Sequence, residues 1–354
     1  MIIDKSKSSE RAAGLDLFRV LSVFMVFIFH THIHHHCSYG PLNGFVSMGA
    51  IFMTAFFMLS GFVLYLTYSK QNLIDIRLLR SFYLKRIIGI IPLYYASALI
   101  YVLCFGKETL TQKILLVPID MLGLQSTFSS LFEVSHHDGT WFISCLLLAY
   151  FAFPFMQEVI KQLGTKTKIA VILVCASALL WAPFIVHSFS TDSIYASPFY
   201  RGLEFFIGVL LCSLPQKAKF LYSLKAFAVE FIALVLIVSV AVHYEISVGN
   251  YMLYNWVALP AFALMILTLS GLKSPCLQNS AVLRYASAAS YAFFMAQTFN
   301  TNIESYLYRT WNIDNNYIKI AVSVAVCTSI AIAMHELFEK KVTRFLKGKI
   351  KSYI

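Results

Sequence analysis

Charged residues are scarce in this chain. They make up 13% of its 354 residues, about half of the roughly 25% typical of soluble globular domains. Proline and glycine are also few, at 9 and 15 residues, against 31 Phe and 20 Tyr. These values exclude a disordered chain, a collagen-like chain and an ordinary cytosolic domain. Hydrophobic residues reach 59% of the chain, which indicates a polytopic membrane protein.

The seven cysteines are odd in number and scattered, and they show no paired spacing. They indicate neither a disulfide framework nor a zinc site. A tract of histidines covers residues 30–36 and contains His30, His32, His34, His35 and His36. Such tracts invite a metal-binding interpretation, but we expect His32 to His36 to form a solvated outer loop. The sequence therefore predicts no bound metal.

Ten apolar runs are long enough for spanning helices, which need about 20 residues. They cover residues 15–36, 47–68, 87–105, 140–160, 169–187, 198–214, 226–243, 251–271, 286–307 and 317–338. The first run exceeds a signal-peptide core, so we expect a retained span. The stretch at 114–126 is short and contains Pro118 and Asp120. We interpret it as re-entrant or interfacial, with an eleventh span as the alternative. The pattern predicts one all-α membrane domain over residues 1–354.

The net charge of +11 is explained by membrane orientation, and we expect no nucleic-acid partner. With a cytoplasmic N-terminus, 22 of the 28 Lys and Arg residues fall in inner segments and 4 in outer segments. This bias follows the positive-inside rule, and an eleventh span would reverse every later loop. We therefore expect both termini in the cytoplasm, with a short basic tail at 340–354.

Two ionisable residues lie inside the first span, where such groups are costly and usually functional. Arg19 and His30 are eleven residues apart, so they share one helix face, about 16 Å apart along the axis. Asp16 precedes Arg19 by three residues and is spaced to pair with it. The alternative is that Arg19 extends to the inner headgroups and His30 is a packing residue.

Further candidates lie in other spans. Ser60 and Gly61 sit in the middle of the second span, where close helix packing is an alternative to a functional role. An inner loop from Lys70 to Arg86 holds five cations and suits either the membrane surface or a polyphosphate. In the sixth span, Arg201 and Glu204 form a buried ion pair or line a substrate cavity.

Several motifs occur in a characteristic order. They are the Arg-x10-His pattern of Arg19 and His30, FFMLSGFVL (56–64), KRIIGIIPLYY (85–95), TWFISCLLLAYFAFP (140–154), RGLEFFIGVLL (201–211), SYAFFMAQ (290–297) and HELFEKKVTRFLKG (335–348). From about residue 14 to 346, the chain resembles the integral-membrane acyltransferase-3 family. Members of this family O-acylate surface polysaccharides, lipopolysaccharide, peptidoglycan and other exported acceptors.

The resemblance implies a multi-pass enzyme of the plasma or inner membrane. It implies acyl-CoA as a cytoplasmic co-substrate, with acetyl-CoA as the first candidate, and no bound cofactor. It also implies a carbohydrate or glycolipid acceptor. Under it, His30 is the candidate general base for an acceptor hydroxyl, and Arg19 holds a phosphate or stabilises the thioester oxyanion. The cations Arg80, Lys85 and Arg86 would bind the phosphates of CoA.

Trp141 and Tyr291 would stack on donor or sugar, with interfacial anchoring as the equal alternative. Together with Asp16, Ser60, Arg201 and Glu204, they are the candidate substrate-channel residues. Two positions depart from the family pattern. Gly89 stands where the family has a second Arg, and Gln297 stands where it has a His. The rival hypothesis is a transporter or flippase, in which the buried charges mark a substrate or proton path.

Overall fold

The computed structural model describes residues 12–106, 109–127, 138–189, 192–215, 222–246 and 253–350. These residues form helices and turns, with no strand among them. The main helices are α1 Ala13–His35, α2 Phe52–Tyr68, α3 Ile76–Cys104, α4 Leu110–Leu122, α5 Trp141–Gln162, α6 Thr165–Phe189, α7 Pro198–Ser213, α8 Leu224–His243, α9 Leu259–Ser270, α10 Ala281–Thr310, α11 Asn316–Ala333 and α12 Lys340–Ile350. The prediction of an all-α protein is confirmed.

Eight helical stretches of the described residues are long and apolar enough to cross a membrane. They are Ala13–His35, Gly49–Tyr68, Ile76–Cys104, Trp141–Gln162, Thr165–Ile185, Leu224–His243, Leu253–Ser270 and Asn316–Ile350. The chain is therefore a multi-pass membrane protein. The other two predicted spans coincide with α7 and α10. Helix α7 has 16 residues, or about 24 Å, which is less than the roughly 30 Å of bilayer hydrocarbon. Ten spans and cytoplasmic termini remain predictions.

The stretch predicted as re-entrant or interfacial forms α4, a helix of 13 residues. Its rise of about 20 Å is too short for a span. A capping box between Thr109 and Gln112 begins the helix, and Gly123 ends it with a left-handed φ of 65°. Tyr94 on α3 donates a hydrogen bond to the carbonyl oxygen of Asp120 at 2.8 Å. The helix is thus held against the bundle instead of forming an eleventh span.

The predicted inner loop from Lys70 to Arg86 is wrong over its second half, because α3 already begins at Ile76. Asp75 caps this helix, since its Oδ1 accepts hydrogen bonds from the backbone N–H groups of Arg77 and Leu78 at 2.9 and 3.3 Å. Arginine, lysine and leucine are good helix formers. The hydropathy pattern marked only the apolar part of α3 and missed its basic first turns.

The outer loop predicted for His32 to His36 is also wrong, because α1 continues to His35. His35 is buried, and its Nε2 lies 2.6 Å from Oε2 of Glu304 on α10. Only His36 leaves the helix, with a φ of 54°. The contact between His35 and Glu304 therefore holds the last turn of α1 against α10. Among the residues that the structure describes, no group of three His, Cys, Asp or Glu side chains is arranged to hold a metal ion.

The tail at 340–354 is helical as far as Ile350, because a π-helical segment, Met334–Glu339, joins α11 to α12. Residues 351–354 lie outside the described part of the chain. Helix α12 packs against α3. This contact brings cations of α12 close to the basic first turns of α3.

Helix α7 lies in the core between α2 and α5. The closest approach is between α2 and α7, where Gly61 faces the backbone of Phe205 and Gly208 faces the backbone of Met58. A Cβ atom at either glycine would overlap a carbonyl oxygen. Small residues at such crossings let helix backbones approach closely. The packing role weighed for the Ser60–Gly61 pair therefore holds for Gly61.

Candidate functional site

A cavity of about 590 Å³ opens between α1, α2, α3, α5, α10 and α12. Four cations line it, namely Arg19, Lys85, Arg86 and Lys347, and we call it the basic cavity. Among the residues predicted from the sequence, Arg19, Ser60, Lys85, Arg86 and Tyr291 line this cavity. The predicted donor residue Arg80 is exposed and does not line it.

Arg86 is held by aromatic side chains at the edge of the basic cavity. Its Nη2 donates a hydrogen bond to the hydroxyl of Tyr68 at 3.0 Å. The guanidinium carbon lies 5.4, 5.8 and 5.8 Å from the ring centres of Tyr68, Phe82 and Tyr150. The Nε atom is buried and has no hydrogen-bond partner among the described residues. An oriented guanidinium with a spare donor suits an anionic ligand such as phosphate.

Arg19 is fixed by a small polar network, and its predicted pairing with Asp16 is confirmed. Its Nη1 lies 3.5 Å from Oδ1 of Asp16 and 3.1 Å from Oγ of Ser287 on α10. Ser287 in turn donates a hydrogen bond to Asp16 at 2.6 Å. Asp16 thus stands behind Arg19 and Ser287, while Arg19 and Ser287 line the basic cavity. The guanidinium faces a protein cavity, which favours the functional interpretation over simple headgroup contact.

His30 lines two further cavities, of about 360 and 270 Å³. The larger one, the polar cavity, is lined with His30 by His34, Tyr101, Gly139, Trp141, Phe294, Gln297, Thr298, Thr301 and Asn302. The smaller one, the apolar cavity, is lined with His30 by Val26, Phe29, Ala50, Met53, Gly139, Trp141, Tyr195, Tyr254 and Phe294. His30 and the predicted residue Trp141 are thus common to both cavities.

His30 stacks on His34, with ring centres 5.5 Å apart and ring planes at 6°. Gln297, which replaces the family's histidine, also lines the polar cavity. Its side chain is 7% exposed, and neither amide atom has a hydrogen-bond partner among the described residues. Buried polar groups are almost always satisfied, so this amide is available to a polar ligand of the cavity.

Phe294 lines all three cavities. Its ring centre lies 4.6 Å from that of Phe142 and 5.7 Å from that of Phe56, and both of these rings line the basic cavity. Helix α1 runs without interruption past this cluster, from Arg19 on one side to His30 on the other. A thin aromatic partition therefore separates the cation-lined cavity from the two cavities at His30.

Arg201 and Glu204 form a buried ion pair and line none of these three cavities. Both side chains are 0% exposed, and Nη1 of Arg201 lies 3.0 Å from each carboxylate oxygen. Thr54 donates a further hydrogen bond to Glu204 at 2.8 Å. Neither residue therefore contributes to the three cavities described here, and their place in a substrate channel stays a prediction. The ion-pair alternative, left open by the spacing alone, is the one observed.

Tyr291 lines the basic cavity, and its hydroxyl donates a hydrogen bond to the carbonyl oxygen of Ile90 at 3.0 Å.

Sequence reasoning missed Tyr150, Ser287, Phe294 and Lys347 as cavity residues. Lys347 carried a signal as a cation of the basic tail, and Tyr150 and Phe294 lie inside the motifs at 140–154 and 290–297. Gly89 lines the same cavity as Lys347, and nothing lies within 4 Å of a Cβ built on it.

The sequence matches the model of a protein family described as an acyltransferase domain, the acyltransferase-3 family, over residues 12–335. No match was found among curated proteins or among solved structures. The match covers most of the chain and favours an enzyme over the transporter hypothesis. This multi-pass membrane protein therefore belongs to the acyltransferase-3 family.

Proposed function

We propose that the protein transfers an acyl group from acyl-CoA to a hydroxyl of a carbohydrate or glycolipid acceptor. The observation that carries the proposal is the arrangement along α1. Arg19 lines a cavity rich in cations, His30 lines two cavities that are not, and Phe294 borders all three. Such an arrangement suits a reaction whose anionic donor and neutral acceptor approach from opposite ends of the bundle.

The basic cavity suits the phosphates of CoA. Four cations line it, and charge-assisted hydrogen bonds from Arg and Lys to phosphate are among the stronger polar contacts in proteins. The positive-inside bias supports a cytoplasmic location for this end, where acyl-CoA is available. The enzyme would then lie in the plasma or inner membrane, with acyl-CoA as a co-substrate and no bound cofactor.

The polar cavity suits the acceptor. Its lining offers the Gln297 amide and the side chains of Thr298, Thr301 and Asn302, which match the hydroxyl groups of a sugar. Hydroxyl-rich ligands need such partners, because a polar group that is buried without a hydrogen bond costs free energy. This favours a carbohydrate or glycolipid over an apolar acceptor.

In the proposed reaction, His30 takes the proton of the acceptor hydroxyl as the oxygen attacks the thioester carbonyl carbon. A new C–O bond forms, the C–S bond breaks, and CoA leaves as a thiolate that regains a proton from the imidazolium or from water. Imidazole is suited to this role because its ordinary pKa of about 6.5 lies near neutrality. Arg19 contributes at the donor side by binding a phosphate.

The first test is the exchange of His30 for alanine in the full chain. We expect the variant to reach the membrane in normal amount and to lose acyl transfer by about 10²–10⁴-fold, as is typical when a general base is removed. Acyl transfer is measured as an ester gained by the surface glycans of cells that express the protein, followed by mass. Release of free CoA from acetyl-CoA by purified protein gives a second readout.

The matched control is His36→Asn, because His36 belongs to the same tract, lies outside the helix and lines none of the three cavities. Asparagine tolerates its left-handed backbone. We expect this variant to retain activity. Full turnover by His30→Ala would refute the role of His30, and transport of a glycan without any new ester would favour the flippase alternative.

A further inference from the structure

No step of the proposed reaction uses the apolar cavity. It has a volume of about 270 Å³ and is lined by His30, by Gly139 and by side chains that are otherwise aliphatic or aromatic. Met53 is 1% and Val26 is 3% exposed, so this part of the lining is buried in the bundle.

Acyl transfer joins three groups at one carbonyl carbon: the leaving thiol of CoA, the attacking hydroxyl and the acyl chain. Three cavities meet around Phe294, and two of them share His30. The cation-lined cavity suits the CoA phosphates, and the cavity with the free Gln297 amide suits the acceptor. The remaining cavity is apolar. The remaining group is the acyl chain, and it is also apolar when it is longer than acetyl.

The aromatic wall of the apolar cavity is held from behind by Arg201. Its guanidinium carbon lies 4.4 Å from the ring centre of Tyr195, 5.5 Å from that of Trp141 and 5.7 Å from that of Tyr254. The ring of Tyr195 also packs against Trp141 at 4.9 Å and against Tyr254 at 5.6 Å, at tilted or perpendicular angles. Glu204 fixes the guanidinium in turn.

The three rings of the aromatic wall are held in one arrangement. All three ring centres lie within about 6 Å of the Arg201 guanidinium carbon, and the ring of Tyr195 packs against those of Trp141 and Tyr254. A cation over aromatic faces is attracted to all of them, which keeps the rings in one arrangement. A rigid apolar wall selects a chain by its length and shape.

We propose that the apolar cavity is the acyl-chain pocket of the enzyme, that it accepts a saturated acyl group longer than acetyl, and that Ala50 and Met53 limit the chain length. Arg201 is a positioning residue, because it acts through the aromatic wall. This inference rests on the proposed acyl transfer from acyl-CoA and adds the identity of the acyl group.

The test measures equilibrium binding of CoA and of acetyl-, butanoyl-, hexanoyl- and octanoyl-CoA to the purified full chain in lipid nanodiscs. We expect affinity to rise about fourfold for each added methylene until the pocket is full, from about 0.8 kcal/mol per buried CH₂. Met53→Ala should move the best chain length upward. Ala50→Leu should remove the gain, so that longer chains bind no better than acetyl.

The matched control is Thr301→Leu, which enlarges a residue of the polar cavity only. It should leave the chain-length profile unchanged. A profile that is flat in the natural protein, or that is the same in Met53→Ala and Ala50→Leu as in the natural protein, would overturn the acyl-pocket assignment. A shift of the chain-length profile in Thr301→Leu would also overturn it. So would an Ala50→Leu variant that loses glycan acylation but keeps its chain-length profile, since the cavity would then hold the acceptor.

Failure of the proposed function gives a different result. In that case no acyl-CoA, acetyl-CoA included, binds above the background of empty nanodiscs, and His30→Ala does not alter ester formation on surface glycans. Binding of acetyl-CoA without any dependence on chain length contradicts only the pocket. Thermal unfolding in detergent shows whether Met53→Ala and Ala50→Leu remain folded, and Met53→Ala remains informative if Ala50→Leu does not fold.

Discussion

At the scale of single residues, adjacent positions serve different purposes. Ser60 lines the basic cavity, whereas Gly61 lies against the backbone of Phe205. One residue of rotation, about 100° on a helix, separates a cavity wall from a packing surface. Both residues were visible in the sequence, but a choice between the two roles required the position of α7.

The Arg201–Glu204 pair gives a prediction at this scale. Glu204→Ala leaves a guanidinium buried without its carboxylate, so we expect a loss of about 3–5 kcal/mol in the free energy of unfolding. The double variant Arg201→Met/Glu204→Leu should lose less, since no unpaired charge remains. Thermal and denaturant unfolding of the purified protein in detergent would measure both losses.

Glu158→Ala is the control, because Glu158 lies 3.9 Å from Lys161 in a pair whose carboxylate side chain is 37% exposed. Surface pairs contribute about 0–1 kcal/mol. Equal losses for the two single variants would mean that the buried pair contributes no more than an exposed one, against the role assigned to it.

At the scale of elements, α3 and α12 build one wall of the basic cavity together. Gly89 on α3 leaves open space where the family has an arginine, and Lys347 on α12 lines the same cavity. A cation from the last helix thus enters a cavity in which the third span lacks the second arginine of the family pattern. The departure of Gly89 from the family pattern is compatible with donor binding for this reason.

We predict that Lys347→Ala weakens binding of CoA by about tenfold, or 1.4 kcal/mol, near the lower end for hydrogen bonds to charged groups. Adding Gly89→Arg to this variant should restore most of the affinity, because the new side chain enters open space in the same cavity. Binding of CoA to the purified protein measures both effects.

Lys349→Ala serves as the comparison on the same helix. Lys349 contacts the ring of Phe345 at 4.8 Å and does not line the basic cavity. We expect CoA binding within about twofold of the natural protein, as for an exposed charge screened by salt. If Lys349→Ala weakened binding as much as Lys347→Ala, the effect would reflect the general charge of the tail.

At the scale of the whole molecule, the distribution of cations predicts the orientation in the membrane. Reporter fusions at the N-terminus and at the C-terminus should both give a cytoplasmic signal, because 22 of the 28 Lys and Arg residues fall on one side under this topology. A reporter inserted at Asp314, in the turn between α10 and α11, should give an external signal. Termini on opposite sides would contradict the prediction of ten spans.

The sequence was sufficient for properties that depend on local composition and on periodicity along one helix. Apolar runs predicted a helical membrane protein, and the eleven-residue spacing predicted a shared face for Arg19 and His30. The pairing of Asp16 with Arg19 also followed from spacing. Each of these involves residues within one helix, where a rise of 1.5 Å and a turn of 100° per residue set the geometry.

The tertiary structure decided which faces of distant helices meet. It grouped Arg19, Arg86, Tyr150 and Lys347 around one cavity and left Arg80 exposed outside it. It buried Arg201 beside an aromatic wall, where the spacing of Arg201 and Glu204 left a channel open as an alternative. Packing between helices far apart in sequence follows from side-chain shape and close contact, and a single sequence does not state which helix lies beside which.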